Sequence, residues 1–190
     1  MAGIVLLVIA GTFALFTGGI TSYSIQNMPT KIKLETSEGS FTIELYADKA
    51  PITVANFLSY VKDGSYEGTV FHRVIASFMV QGGGFTPDGK EKPTKAPIKL
   101  ESNNGLKNER GTIAMARTNV PDSATNQFFI NTKDNAFLNY SPGNDGYAVF
   151  GKVIEGMDTI DKIEAKQTTT KFGMEDWPVN DVLITKVSVL

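Results

Sequence analysis

The stretch FHRVIASFMVQGGGF, residues 71–85, holds two short apolar runs parted by Ala76-Ser77 and closed by three consecutive glycines. Extended to TVFHRVI (69–75) and FMVQGG (78–83), both runs read as strands: short, rich in Val, Ile and Phe, and bounded by small residues. Alternation puts His72 and Val74 on one face of the first strand, and Phe71, Arg73 and Ile75 on the other. A guanidinium then shares a face with apolar neighbours, which is unusual for a charge that needs only water. The plainer account is an arginine at the rim of the fold, its stem laid along apolar surface and its head in solvent. Gly82-Gly83-Gly84 lacks the Lys-Ser/Thr of a P-loop and the helix that follows a dinucleotide fingerprint. It marks a bend or a close backbone approach rather than a phosphate site.

Outward from this stretch the chain continues as short strands. KIKLET (31–36) and FTIEL (41–45) alternate around a turn at Gly39, a hairpin signature. GTIAMAR (111–117), QFFINT (127–132), YAVFGKVI (147–154) and a final run in DVLITKVSVL (181–190) add further strands. Two helices interrupt them. Val54, Phe57, Leu58 and Val61 repeat at helical spacing, with Thr53 as the expected cap and Gly64 as the stop. Met157, Ile160 and Ile163 mark a second, shorter helix. Many short strands with two widely separated helices and no βαβ alternation predict a mainly β fold, a closed barrel with helices at its ends. The turn-rich stretch from Gly84 to Glu109 is expected to be an ordered loop lying over that barrel. The lone Trp177 is read as a structural loop residue.

Composition excludes several chemistries. The 190 residues carry 18 Lys and Arg against 20 Asp and Glu, a net charge of −2, with no basic stripe for nucleic acid. No cysteine is present, which excludes disulfides, thiol nucleophiles and Cys-ligated metals, and the single histidine excludes a multi-histidine site. No metal or other cofactor is implied. Every charged residue lies from Lys31 onward. Residues 2–20, AGIVLLVIAGTFALFTGGI, have the length of a hydrocarbon core roughly 30 Å thick. Residues 1–21 therefore read as a signal peptide or membrane anchor, 22–30 as a linker ending after Pro29, and 31–190 as one domain. Export, to a periplasm or to the periplasmic face of an inner membrane, is the expected location, with membrane association through residues 2–20.

The motifs FHRVIASFMVQGGGF, GTIAMAR, SATNQFFIN and GYAVFGKVIEGMD follow one another in the order and spacing of a known family. Over residues 31–190 the chain resembles the cyclophilins, and most closely their bacterial type, including exported forms that share QGGGFTP and IKLESNNGLKNERGTIAMAR-like stretches. The resemblance implies an eight-stranded antiparallel β-barrel capped by two α-helices and peptidyl-prolyl cis–trans isomerase activity. Carried over position by position, the catalytic arginine falls on Arg73. The proline-ring pocket falls on Phe78, Met79, Phe129 and Leu138. Gln81, Ala116, Arg117 and Gln127 match positions that hold the substrate backbone, and His72 matches a residue lining the site. Phe137 stands where the eukaryotic pattern has a pocket tryptophan, and Tyr147 where it has a histidine. Without that indole N–H, only weak binding of cyclosporin is implied. RTNVPDSATN (117–126) runs one residue longer than the eukaryotic pattern.

These residue types suit the reaction. Resonance in the C–N bond sets a rotation barrier of about 18–20 kcal/mol, and uncatalysed X–Pro isomerisation takes tens of seconds. No covalent bond is made or broken, so neither nucleophile nor metal is required. A catalyst needs a dry grip on the proline ring and a donor for the prolyl nitrogen, whose lone pair returns as the amide twists. An arginine carries its charge at every physiological pH and supplies such a donor. Two competing readings come from other classes. A holdase binding proline-containing peptides would keep the pocket with only incidental catalysis. A hydrolase built on His72 lacks the G-x-S-x-G elbow. Polypeptides exposing X–Pro bonds are the expected partners, and a monomer the expected state.

Overall fold

The computed structural model describes residues 30–190; the expectations for the apolar segment and for the linker up to Pro29 lie outside the described residues. The chain enters as a hairpin, β1 (Thr30–Thr36) and β2 (Gly39–Leu45), with Ile32 opposite Ile43 and Leu34 opposite Phe41. Alternation turns these four side chains to one face, where all are buried. Helix α1 (Pro51–Lys62) follows, then β3 (Arg73–Ile75), β4 (Met79–Gly82), β5 (Thr112–Met115), β6 (Phe128–Asn131) and β7 (Val149–Glu155). Helix α2 (Met157–Glu164), a hairpin of β8 (Thr168–Lys171) and β9 (Met174–Pro178), and β10 (Ile184–Val189) complete the order.

Eight strands form one curled antiparallel sheet in the order β10-β1-β2-β7-β5-β6-β4-β3. Its two ends meet, although not through a β3–β10 ladder. Val70 bridges Leu183, the Phe71 N–H donates to the Val182 carbonyl at 3.0 Å, and the Ile184 N–H donates to that of Thr69 at 2.8 Å. The mainly β fold with two helices is as predicted, and its ring is completed by irregular chain at this seam.

The seam corrects the reading of residues 69–75. They do not form one strand, because Thr69–Phe71 are spent on the seam and only Arg73–Ile75 pairs with β4. The alternation expected for this stretch therefore breaks at His72. Phe71 joins Val74 in the interior, leaving Arg73 and Ile75 outside.

Both helices seal the interior. Phe57 of α1 packs its ring against Tyr66, Phe128 and Phe150 at 5.1–5.7 Å, and Ile160 and Ile163 of α2 join the same cluster. Thr53 is not the cap of α1. The helix opens with Pro51 at its first turn, and the Glu101 carboxylate accepts from the Ile52 N–H, the Thr53 N–H and the Thr53 hydroxyl. Glu101 belongs to the long loop 84–109, which lies over the barrel and bridges it at Phe85 and Ile98. Gly64 ends α1 in the left-handed conformation at φ 64°. Trp177 is not a loop residue. It sits on β9, fully buried, and its Nε1–H donates to Asp181 at 2.8 Å.

Candidate active site

Antiparallel register sets four residues from four strands in one row. Arg73 of β3 faces Gln81 of β4, Gln81 faces Phe129 of β6, and Phe129 faces Ala114 of β5. All point away from the barrel interior, since their neighbours Val74, Val80, Phe128, Ile113 and Met115 fill the core. Met79 lies on the same outer face one step along. A second apolar cluster therefore forms outside the sheet from Met79, Ala114, Phe129, Leu138 and Val149, flanked by Phe78, Ala116 and Tyr147.

Above it opens a cleft of about 430 Å³ lined by Arg73, Phe78, Met79, Gln81, Ala116, Arg117, Phe129, Leu138 and Tyr147. Its floor is dry: Met79, Phe129 and Leu138 are at most 8 % exposed. Its polar groups gather along one edge. Gln81 Nε2 donates to Gln127 Oε1 at 2.9 Å, and the Ala116 N–H donates to the Gln127 carbonyl at 3.0 Å. Arg117 is fixed on three sides, donating to the carbonyls of Gly146 and Thr118 with its guanidinium 4.7 Å from the centre of the Tyr147 ring. Beyond Gln81, Ala116 and Arg117 the surface dips again into a polar hollow of about 480 Å³, where Gln127 joins Glu91, Thr118, Ser123 and Thr125.

The triple glycine has a steric reason at each position. A methyl group on Gly82 would stand 3.0 Å from the Phe71 ring, and one on Gly84 2.6 Å from the Gln127 side chain. Gly83 holds φ at 87°, and its added methyl would meet Phe128 and Tyr66 at 2.9 Å.

Three sequence-predicted residues stand outside the cleft lining: Gln127, in the adjoining hollow, His72 and Phe137. His72 does not line the cleft. It is buried behind Arg73, edge-on to Phe85 at 4.7 Å and 6.0 Å from Trp177, with its Nε2 3.5 Å from Gln81. Burial lowers its pKa from 6.5 to about 4, and the nearby Arg73 charge acts in the same direction. Phe137 stands at the rim, 65 % exposed, stacked on Phe78 at 5.5 Å.

Sequence reasoning missed what holds the walls. Asn131 Nδ2 donates to Thr112 Oγ1 at 2.9 Å and to Asn108 Oδ1 at 3.2 Å; Asn135 Nδ2 donates to Asn131 Oδ1 and to the Phe78 carbonyl, both at 2.8 Å. Asn108 Nδ2 in turn donates to the Leu138 carbonyl at 3.0 Å. This buried amide network ties the backbone of two cleft walls, Phe78 and Leu138, to β5 and β6. The available signal was Asn131, a polar residue at the end of an apolar strand with Asn135 four positions on.

This chain belongs to the cyclophilin-type peptidyl-prolyl cis–trans isomerase family, whose sequence model matches residues 31–189. It is 54 % identical over 179 residues to a peptidyl-prolyl cis–trans isomerase of Acinetobacter baylyi, covering 93 % of this chain and 94 % of that one. It is 53 % identical over 161 residues to peptidyl-prolyl cis–trans isomerase B of Escherichia coli, covering 83 % and 98 %. A crystal structure of a Cryptosporidium parvum cyclophilin-type isomerase superposes with a TM-score of 0.71 at 25 % identity, over 86 % of this chain and 98 % of that one. The chain is accordingly an enzyme that accelerates rotation about X–Pro bonds.

Proposed function

We propose that the cleft beside Arg73 is the catalytic centre and that Arg73 is its catalytic residue. The observation that carries this is a guanidinium held by strand register along the edge of a dry apolar floor. Phe78, Met79, Phe129 and Leu138 grip the proline ring, which needs apolar contact on several sides. Gln81, Ala116, Arg117 and Gln127 hold the peptide backbone on the polar edge. As the amide twists, the prolyl nitrogen pyramidalises and its lone pair becomes an acceptor. Arg73 donates to that lone pair, an interaction absent from both planar ground states, so it lowers the barrier rather than tightening binding.

The test is the isomerisation rate of a short Ala-Pro peptide at nanomolar enzyme. Arg73→Ala is expected to lose on the order of 100-fold in kcat/KM, the scale of one preorganised donor, with unchanged thermal unfolding. Turnover close to wild type would remove Arg73 from the mechanism.

The clients follow from location, and we infer export. The support is in the sequence: no charged residue before Lys31 and an apolar run over residues 2–20. Clients would then be exported polypeptides whose folding waits on proline isomerisation, with the enzyme secreted or tethered. Recovery of the full-length protein in the soluble cytosolic fraction would overturn this reading. Cyclosporin is expected to inhibit weakly, since Phe137 offers no N–H to it.

A further inference from the structure

Arg73 has a partner on its far side. Asp176 Oδ2, on β9, lies 3.6 Å from Arg73 Nε, with the two side chains 37 % and 43 % exposed. An ion pair this exposed contributes little to stability, yet the chain is shaped to make it. In the β8–β9 ladder Thr169 faces Trp177 and Lys171 faces Met174, so Glu175 and Asp176 together oppose Thr170 alone. That is a β-bulge, a device that re-aims a side chain. Asp176 adopts φ 60°, a left-handed conformation that Asp and Asn tolerate better than other side chains.

The next residue anchors the bulge. Trp177 is fully buried against His72 and Phe85, and Asp181 accepts both from its Nε1–H at 2.8 Å and from Lys171 Nζ at 2.9 Å. A rigid hairpin thus presents one carboxylate to one edge of one guanidinium.

We propose that Asp176 is a positioning residue for Arg73. By holding the Nε edge it fixes the rotation of the planar fork, leaving the Nη groups to serve the cleft. The proposal rests on the catalytic reading of Arg73 given above, and it adds the β8–β9 hairpin, which contributes nothing to the cleft lining, to the catalytic apparatus.

The experiment is a double-mutant cycle on the full chain, read as kcat and KM for the Ala-Pro peptide, with thermal unfolding alongside. Asp176→Asn keeps the side-chain shape and the left-handed backbone while removing the charge; Asp176→Ala removes the contact. Asp176→Ala is expected to lose up to about fivefold in kcat/KM, the upper end of the worth of an exposed charge pair, with the loss in kcat and KM unchanged. Asp176→Asn should fall between it and wild type. In an Arg73→Ala background, Asp176→Ala should cost nothing further. An equal loss in that background, or wild-type kcat in both Asp176 variants, would overturn the proposal while leaving Arg73 in place. Wild-type turnover in Arg73→Ala alone would instead overturn the reading on which it rests.

Discussion

Strands β4, β5 and β6 carry an apolar surface on each face, and the two surfaces meet opposite fates. On the inner face Val80, Ile113, Met115, Phe128 and Ile130 are at most 2 % exposed, closed over by helices and by the far wall of the barrel. On the outer face Met79, Ala114 and Phe129 are buried almost as well, but among the described residues neither α1 nor α2 covers them. The loops around Phe78, Leu138 and Tyr147 rise about them and stop short, leaving the cleft. On the reading proposed above, binding capacity is a core surface whose cover has been left incomplete, and register decides which residue falls on which side.

The largest expected effect comes from exchanging neighbours across that sheet. Phe128→Ala should lose about 3–5 kcal/mol in urea unfolding, because it opens an interior cavity under Phe57, Tyr66 and Phe71. Molecules that remain folded should turn over normally. Phe129→Ala should stay near the lower end of that range, about 3 kcal/mol, since water can enter from the cleft. Its kcat/KM should collapse even where folding is complete. Equal kinetic damage from both would mean that the two faces are not independent.

Next in size is acid stability, which probes the joint behind Arg73. Well above pH 6.5 His72 is neutral in the folded and unfolded chain alike. As pH falls from 6.5 towards 4, the unfolded chain takes up a proton that the buried ring refuses, so stability is lost across that window and levels off below it. The full loss is on the order of 3 kcal/mol. Replacing His72 with Gln should flatten this part of the pH–stability curve; a wild-type curve already flat there would show that the joint is wet.

The smallest effect belongs to the rim. Phe137→Ala removes a ring stacked on Phe78 but mostly in solvent. Stability should stay within about 0.5 kcal/mol of wild type, while kcat/KM falls about threefold, the scale of one aromatic pair. A clear drop in melting temperature would place Phe137 in the structural surface rather than in the cleft's edge.

What was legible in the sequence was local or periodic. Alternation in KIKLET and FTIEL and the helical repeat from Val54 to Val61 read directly onto β1, β2 and α1. The residues placed around the cleft came from a matched series of motifs, because nothing in alternation alone tells a wall from a core. The unread parts depend on distant partners. Thr53 looked like a cap because the carboxylate that caps α1 lies 48 positions away on a loop. Phe71 changed faces because its N–H is claimed by Val182. Trp177 carries no periodic signal, and its strand pairs with β8 in a hairpin that packs on β3.

The β1–β10 ladder sets a timetable for biosynthesis. Ile32 pairs with Val189 and the Leu190 N–H donates to the Lys31 carbonyl, so the first strand of the domain finds its outer neighbour only in β10, the last of the strands in chain order. Until β10 leaves the ribosome, β1 is an open edge of the kind that recruits foreign strands. Pairings so far apart in sequence also close slowly. A nascent chain stalled before Ile184 would hold both helices and every residue of the cleft lining, yet it would lack the stave that shuts the barrel.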